Sequence, residues 1–410
     1  MIKVWADDQP AGVLDRYRER GSTFVYDRGI APERAISLTI PVRTASWNVP
    51  VALAPIFEMN LPEGALRERL RLAFAKATGS FDELDLLGIV GRSQLGRLRY
   101  TGMDGVLNEE VPFQSVDELL SSRRGGELYR YLIERFAAFS GISGVQPKFL
   151  IRDEERFESA ETRSRELSQT FRGATHIVKF WNPEEFPQLA ANEFFCLQAA
   201  EACGLPVSPY RLAEDGSSLV MSRFDLRPDG RYKGFEDFCV LNAKRTDQKY
   251  SGSYETGVLK RFQQFARSDV TARESLQLFT LIVLNCAIRN GDAHLKNFGV
   301  LYDDVQKEAH LAPAYDLVTT TAYLPKDRMA LTLNGTTEWP SGKELMRFAE
   351  SRGLGSPREL RAIFERVADA LNQTRPAIET HSKENPEFKN LSERMLQGWE
   401  SGQKSARLLL

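Results

Sequence analysis

Arg289-Asn290-Gly291-Asp292-Ala293-His294-Leu295-Lys296-Asn297, followed nineteen residues after Asn297 by Asp316 in Pro313-Ala314-Tyr315-Asp316, is the stretch whose residue types and spacing point to chemistry. Moving a phosphoryl group requires a carboxylate that orients the attacking hydroxyl and oxygen ligands that hold Mg²⁺ on the β- and γ-phosphates; the rest is positioning and charge neutralisation. Asp292, Asn297 and Asp316 supply those groups in that order. A plainer reading uses the same letters. Asn and Gly accept φ > 0 and Asp caps turns, so Asn290-Gly291-Asp292 is also a turn signature and Asp316 also an ordinary loop acid. Context separates the two: an apolar helix before the loop, a hairpin after it, and a lysine and a Gly-rich turn far upstream.

Asp-x4-Asn is the spacing of a kinase catalytic loop, with the Asp on the acceptor hydroxyl and the Asn turned back toward a metal. Before it, Ser268-Asp269 caps a helix expected over residues 270–289. Leu276, Phe279, Val283 and Ala287 share one face, and Leu278, Leu281, Ile282 and Leu284 extend it most of the way round, as in a helix buried at the centre of a lobe. After it, residues 298–302 and 310–313 make a hairpin around Asp303-Asp304. His294 is either a polar brace or nucleotide contact, or a loop imidazole satisfied by backbone. Lys296 either neutralises the γ-phosphate in the transition state or is solvated.

Upstream, Phe139-Ser140-Gly141-Ile142-Ser143-Gly144-Val145-Gln146-Pro147-Lys148 sets two glycines and two serines between a helix expected at 127–138 and an apolar strand. Backbone N–H groups of such a turn can approach phosphate oxygens because no side chain intervenes. It lacks both the G-x-x-x-x-G-K-[ST] pattern and the full G-x-G-x-x-G, so its spacing also fits a plain turn. The charged residues 152–173 form an expected solvent-exposed insertion. In the following strand, 175–180, Lys179 stands among apolar neighbours and needs a partner charge, which an ATP phosphate supplies, unless it is an edge lysine that blunts aggregation. A helix over 187–203 carries Asn192 and Glu193; Glu193 is either the acid that holds the strand lysine in kinase folds or exposed to solvent. Strands at 209–212 and 218–225 precede a short acidic-aromatic segment, Glu236-Asp237-Phe238.

A chain of 410 residues holds two or three domains with real cores. Apolar residues at 42% and charged residues at 27% fit a globular protein, and a formal charge of −2 excludes a globally basic nucleic-acid binder. Cys196, Cys203, Cys239 and Cys286 form no C-x-x-C pair and are expected as reduced core residues of a cytoplasmic protein. No histidine has zinc-ligand spacing. Neither an export signal nor an 18-residue apolar run is seen, so no membrane span is expected. Residues 1–105 suit a small α+β unit with strands at 2–5, 12–14, 22–26 and 36–42, the last alternating most clearly. A helix from Pro62-Glu63 to Gly79 and another at 81–90 follow, and a polar link at 109–126 ends the unit. No catalytic constellation is visible there, which favours a packing or docking module. Helices at 343–352, 357–371 and 392–410 close the chain; Arg358, Arg361 and Arg366 read as a solvated face or, in a repressor complex, as a face that touches DNA phosphates.

Phe57-Glu58-Met59-Asn60-Leu61-Pro62-Glu63-Gly64 with Leu86-Leu87-Gly88-Ile89-Val90-Gly91-Arg92 resembles the N-terminal subdomain of the HipA family, the kinase toxins of bacterial toxin–antitoxin modules. Residues 142–148 resemble that family's phosphate-binding loop, Arg223-Phe224-Asp225 its strand ending, and Asp292, His294, Lys296, Asn297, Tyr315 and Asp316 its catalytic loop, so the likeness covers nearly the whole chain. The resemblance implies an α+β, two-lobed protein kinase-like fold: an N-terminal α+β subdomain (1–105), an N-lobe with the Gly-rich loop (106–238) and a mostly helical catalytic C-lobe (239–410). It implies ATP contacts from Ser143, Gly144, Val145, Gln146, Pro147, Lys148 and Lys179, and adenine contacts at Glu236, Asp237 and Phe238. It further implies nucleotide-site roles for His294, Lys296 and Tyr315, acceptor orientation by Asp292, and Mg²⁺ on Asn297 and Asp316. The activity implied is that of an ATP- and Mg²⁺-dependent serine/threonine protein kinase that arrests growth by phosphorylating a translation-related protein such as an aminoacyl-tRNA synthetase. Its implied partner is a HipB-like helix-turn-helix antitoxin, with operator DNA reached only through that complex. One departure stands out: where the family has its self-phosphorylated serine, two positions before Ser143, this chain has Gly141, which leaves Ser143 as the expected autophosphorylation site and Ser140 as the other hydroxyl. A small-molecule kinase and an ATP-binding pseudokinase acting as a transcriptional co-regulator use the same residues; label in a metabolite marks the first, binding without turnover the second.

Overall fold

The computed structural model describes residues 1–78, 81–107, 110–121, 125–144, 146–153, 172–181, 185–266 and 268–406. Gly79, Val145, most of the expected insertion at 152–173, part of the expected link at 109–126 and the end of the last expected helix lie outside the described residues. Strands β1 (Ile2–Ala6), β2 (Gln9–Tyr17), β3 (Gly21–Tyr26), β4 (Trp47–Val49) and β5 (Leu98–Gly102) form an antiparallel sheet in the order β4-β3-β2-β1-β5. Its period-2 logic is plain in β1, where Ile2, Val4 and Ala6 are buried and Lys3 and Trp5 are half-buried. The Gly64–Thr78 and Glu83–Val90 helices follow β4 in the chain; Asp82 caps the second through a reciprocal bond with Asp85.

The clearest alternation in the sequence, 36–42, is not a strand. Its apolar residues Ile36 and Ile40 are buried, but its backbone is satisfied by side chains instead of a ladder: Ile36 N–H donates to the Tyr26 hydroxyl (3.0 Å), Tyr26 donates to Ile40 O, and Leu38 N–H donates to Glu236 Oε1 (2.8 Å). The polar link is also more ordered than its composition implied. Val116–Ser121 is a helix that buries Val116, Leu119 and Leu120 beneath a polar outer face.

Strands β6 (Lys148–Ile151), β7 (His176–Phe180), β8 (Tyr210–Leu212) and β9 (Ser218–Ser222) form a second antiparallel sheet, β6-β7-β9-β8, against which the Gly125–Phe136 and Leu189–Ala202 helices pack. Strands β10 (Gly234–Asp237), β11 (Gly299–Tyr302) and β12 (His310–Leu311) make a third, at the entrance to the helical lobe. That lobe is built on the Ser268–Ala287 helix, flanked by Pro357–Glu384 and Lys389–Ala406. Gly402 lets the last of these lie on the first: a Cβ there would sit 2.0 Å from Ala287 O. The Pro357–Glu384 helix runs past the expected end at residue 371 and through Pro376, which is exposed, so water can satisfy the carbonyl the proline leaves free. The architecture is two-lobed, α+β and protein kinase-like. The four cysteines are buried and unbridged.

The first sheet and the second sheet (β6-β7-β9-β8) share one hydrophobic cluster, from Ile2 and Val4 to Phe149, Ile177 and Val220, across the boundary expected near residue 105; the helical lobe has its own. A buried ion pair fastens that junction. Arg223 grips both oxygens of Asp225 (2.9 and 2.7 Å) and donates to Gln94 O (2.9 Å), while Gly96 N–H donates to Asp225 Oδ2 (2.6 Å). Asp225→Ala strands a buried guanidinium and is expected to cost about 3–5 kcal/mol, read as a lowered urea midpoint with an unchanged slope.

Candidate active site

A cleft of about 1990 Å³ opens between the sheets and the helical lobe. This exceeds the roughly 300–1,000 Å³ of a pocket for one small ligand, leaving room for a nucleotide and part of a second substrate. Asp292, Asn297 and Asp316 all line it, as do Ser143, Gly144, Gln146, Pro147, Lys148, Lys179, Asp237, His294, Lys296 and Tyr315. Glu236 and Phe238 do not. Successive side chains of a strand alternate faces, and the cleft takes Phe235 and Asp237. Glu236 turns toward the first subdomain, whose Ser37 Oγ (2.9 Å) and Leu38 N–H donate to it, as does Tyr302 OH (2.5 Å) of β11, and Phe238 is buried in the helical core.

Lys148 and Lys179 are direct cross-strand partners on β6 and β7. Like charges in that relation repel, so an anion has to stand between them. Asp316 does: Oδ2 accepts from Lys148 at 2.8 Å and Oδ1 from Lys179. Lys179 also meets Glu193 at 2.5 Å, with both side chains almost fully buried, and Glu193 accepts the Asp316 backbone N–H at 3.0 Å. Lys179 is thus an interior residue, not an edge lysine, and Glu193 is its buried partner. Burial alone would favour a neutral Asp316, but the two ammonium groups outweigh it and hold the carboxyl far below the usual range. Burial opposes the charge on Lys179, yet Asp316 and Glu193 push it up to about 12. Asp316 takes φ +53°, the left-handed region few non-glycine residues enter, at the focus of these contacts.

The catalytic-type loop leaves the Ser268–Ala287 helix through Arg289, also at positive φ. Gly291 is required there, since a Cβ would lie 2.1 Å from Asp327 Oδ2. Asp292 is exposed on the cleft and accepts the Tyr250 hydroxyl at 2.7 Å; the protein packed around it raises its carboxyl pKa, against the opposing pull of Tyr250 and Lys249. His294 is buried, and burial, with Lys249 and Lys296 nearby, drives its imidazole down to about 3, so the ring is neutral; Nδ1 has no partner among the described residues. Lys296 is not solvated. It donates to Met59 O (2.8 Å) and Asp237 Oδ2 (2.9 Å), joining the loop to the first subdomain and to β10. Asn297 Oδ1 is buried with no partner among the described residues, while Nδ2 reaches Asp316 O at 3.5 Å.

Among the described residues no three of His, Cys, Asp and Glu gather as metal ligands. The Asn297 carboxamide oxygen, unpaired among the described residues, and the Asp316 carboxylate, held by two lysines, both line the cleft and are hard oxygens of the kind that Mg²⁺ takes together with phosphate and water.

In the Gly-rich turn, Gly141 N–H donates to Ser93 O at 2.9 Å, and a Cβ on it would lie 2.6 Å from Gln94 Cβ. That contact explains why no serine stands at this position. Ser140 is fully buried, its hydroxyl donating to Phe136 O (2.7 Å) and accepting from Leu150 N–H (3.0 Å). Ser143 faces the cleft and donates to Glu63. Gly144, at φ +141°, admits the Lys148 side chain: a Cβ there would meet Nζ at 2.8 Å. Sequence reasoning missed Met59 and Glu63 of the first subdomain, and Lys249, which pairs with Glu63 at 2.9 Å. It also missed Tyr250. Glu63 registered only as a helix opener, and nothing local marks Lys249 or Tyr250.

The "HipA N-terminal domain" family model matches residues 2–101, and "HipA-like C-terminal domain" matches residues 140–375, more than half of the chain. The chain belongs to the HipA kinase family. It is 31% identical to the putative kinase Y4mE of Sinorhizobium fredii over 92% of this chain and 91% of the relative, and 25% identical to the putative kinase Y4dM of the same organism over 81% and 83%. Among solved structures it resembles HipA of Shewanella oneidensis MR-1, determined with HipB and operator DNA, with a TM-score of 0.65 over 98% of this chain and 97% of that one at 18% identity. The HipA fold is therefore shared at low sequence identity.

Two outcomes follow from this HipA site. Gly141→Ser overpacks the turn against Gln94 and is expected to lose about 1–3 kcal/mol, seen as a lower urea midpoint, and to gain no phosphate at residue 141 by mass spectrometry. His176 and His294 have ordinary values near 6.5, and burial lowers them to about 4 and about 3 in the fold. As pH falls below 6.5 the unfolded chain binds protons that the folded chain refuses, so stability is full above that value and declines below it. Each histidine contributes about 1.4 kcal/mol per pH unit, and His294→Gln is expected to remove about half of the paired slope in urea midpoints between about pH 6 and pH 5.

Proposed function

We propose that the chain transfers the γ-phosphoryl group of ATP to a serine or threonine hydroxyl of another protein, as the toxin of a toxin–antitoxin module. The observation that carries this reading is a single cleft shared by Asp292, Asn297 and Asp316 and two facing lysines that require an anion. Lys148 and Lys179 yield part of their hold on Asp316 to the incoming phosphates, and backbone N–H groups of the turn from Ser143 to Lys148 complete the cradle. Phe238 N–H bonds to Phe298 O at 3.1 Å. By antiparallel alternation the peptide groups of Phe235 and Asp237 then point to the other edge of β10; Gly96 lies against that of Phe235, so that of Asp237 is the one proposed to meet adenine. Asn297 Oδ1 and Asp316 would hold Mg²⁺, whose charge offsets that of the β- and γ-phosphates. Asp292 orients the acceptor hydroxyl and takes its proton as the oxygen bonds to phosphorus and ADP departs.

The acceptor protein in this reading is translation-related, such as an aminoacyl-tRNA synthetase, and the setting is the cytoplasm; no described helix is long and apolar enough to cross a membrane. A HipB-like antitoxin is the proposed partner, with operator DNA reached through it, supported by the likeness to the S. oneidensis protein. Ser143, the cleft-facing hydroxyl of the turn, is the proposed autophosphorylation site. Asp292→Asn is expected to cut transfer of label from ATP to lysate proteins by about 10²- to 10⁴-fold while ATP binding by calorimetry persists. Retained transfer, or label appearing in a metabolite instead of a protein band, contradicts the proposal.

A further inference from the structure

Asp292 is not empty-handed in this structure. The Tyr250 hydroxyl donates to its Oδ1 at 2.7 Å, from a ring that is 51% exposed on the cleft and set edge-on to His294 at 5.1 Å. The backbone that carries Tyr250 is pinned on both sides. Leu295 N–H of the catalytic loop donates to Lys249 O (3.1 Å), Thr332 N–H donates to Gly252 O (3.1 Å), and Lys249 Nζ is tied to Glu63. Only the side chain is left to move.

A carboxylate that orients a serine hydroxyl orients a water molecule equally well. Water so placed would bond its oxygen to the γ-phosphorus, pass a proton to Asp292 and release ADP and phosphate. A kinase that idles in this way destroys its own substrate. We propose that Tyr250 is the residue that makes this site discriminate between an acceptor hydroxyl and water: its phenol fills the acceptor position at Asp292 until the hydroxyl of a protein substrate displaces it. The proposal rests on Asp292 being the acceptor-orienting carboxylate. Burial and the neighbouring Asp292 raise the pKa of the phenol, which keeps its proton and so remains a donor to Asp292.

The test is phosphate release from MgATP by the full-length chain with no other protein present, for wild type, Tyr250→Phe, Tyr250→Ala and Asp292→Asn. Removing the phenol is expected to raise release by about fivefold, the factor that one net hydrogen bond governs, with ATP binding preserved. A purely structural tyrosine predicts the opposite, since damage to the site lowers turnover. Unchanged or lower release in both Tyr250 variants, alongside loss of residual release in Asp292→Asn, overturns the role of Tyr250 and leaves that of Asp292 standing. Undiminished release in Asp292→Asn overturns both. Phosphate on Tyr250 of the wild-type chain incubated with ATP, found by mass spectrometry, also overturns the proposal, because the phenol would then be an acceptor and not a guard.

Discussion

Two ammonium groups facing each other across neighbouring strands are the constraint on which the rest of this site depends. Lys148 and Lys179 sit at paired positions with little water to screen them, and the fold meets them with Asp316 and Glu193. Removing one member of such a cluster leaves a buried charge uncompensated, which is far more damaging than the net worth of any single pair. The cluster also unites distant parts of the chain: β6 and β7 of the second sheet, the Leu189–Ala202 helix and the segment after β12. The positive φ of Asp316 and the burial of Glu193 both follow from it.

The first hundred residues are more than a docking module. Met59 and Glu63 stand on the cleft wall, Ser37 and Leu38 grip Glu236 from outside the β10 strand, and the Arg223–Asp225 pair holds Gln94 and Gly96 against the second sheet. Burial pushes Glu236 up to about 7 despite three donors, a sign of how completely water is excluded where the subdomain meets the strand that leads into the helical lobe. A shared hydrophobic cluster makes these two units one mechanical body.

Much of this was legible before any coordinates. Strands with strict alternation, such as β1, and helices with caps, such as Glu83–Val90, announce themselves because each residue's preference agrees with its neighbours'. The loop from Asn290 to Asn297 stood out by residue types and spacing, whereas the turn from Ser140 to Lys148 stood out only through the family resemblance. Two expectations failed for different reasons. Residues 36–42 alternate like a strand, yet their donors and acceptors are claimed by Tyr26 and by Glu236, the latter far away in the chain; the Pro357–Glu384 helix runs past residue 371 and through Pro376, which is exposed.

The sequence alone pointed to the family through residues spread over both lobes, and the family models bear that out. Only the tertiary structure decided which lysine does what: Lys148 and Lys179 converge on Asp316, whereas Lys296 is drawn to Asp237 and Met59. It alone decided that Ser140 is sealed in, that Gly141 leaves no space for a side chain, and that a tyrosine more than forty residues upstream reaches Asp292. The reason is physical. Residue type and local spacing encode what a side chain can do, but charge pairing, burial and access to solvent are set by whichever segments the fold brings alongside, and no local pattern records those neighbours.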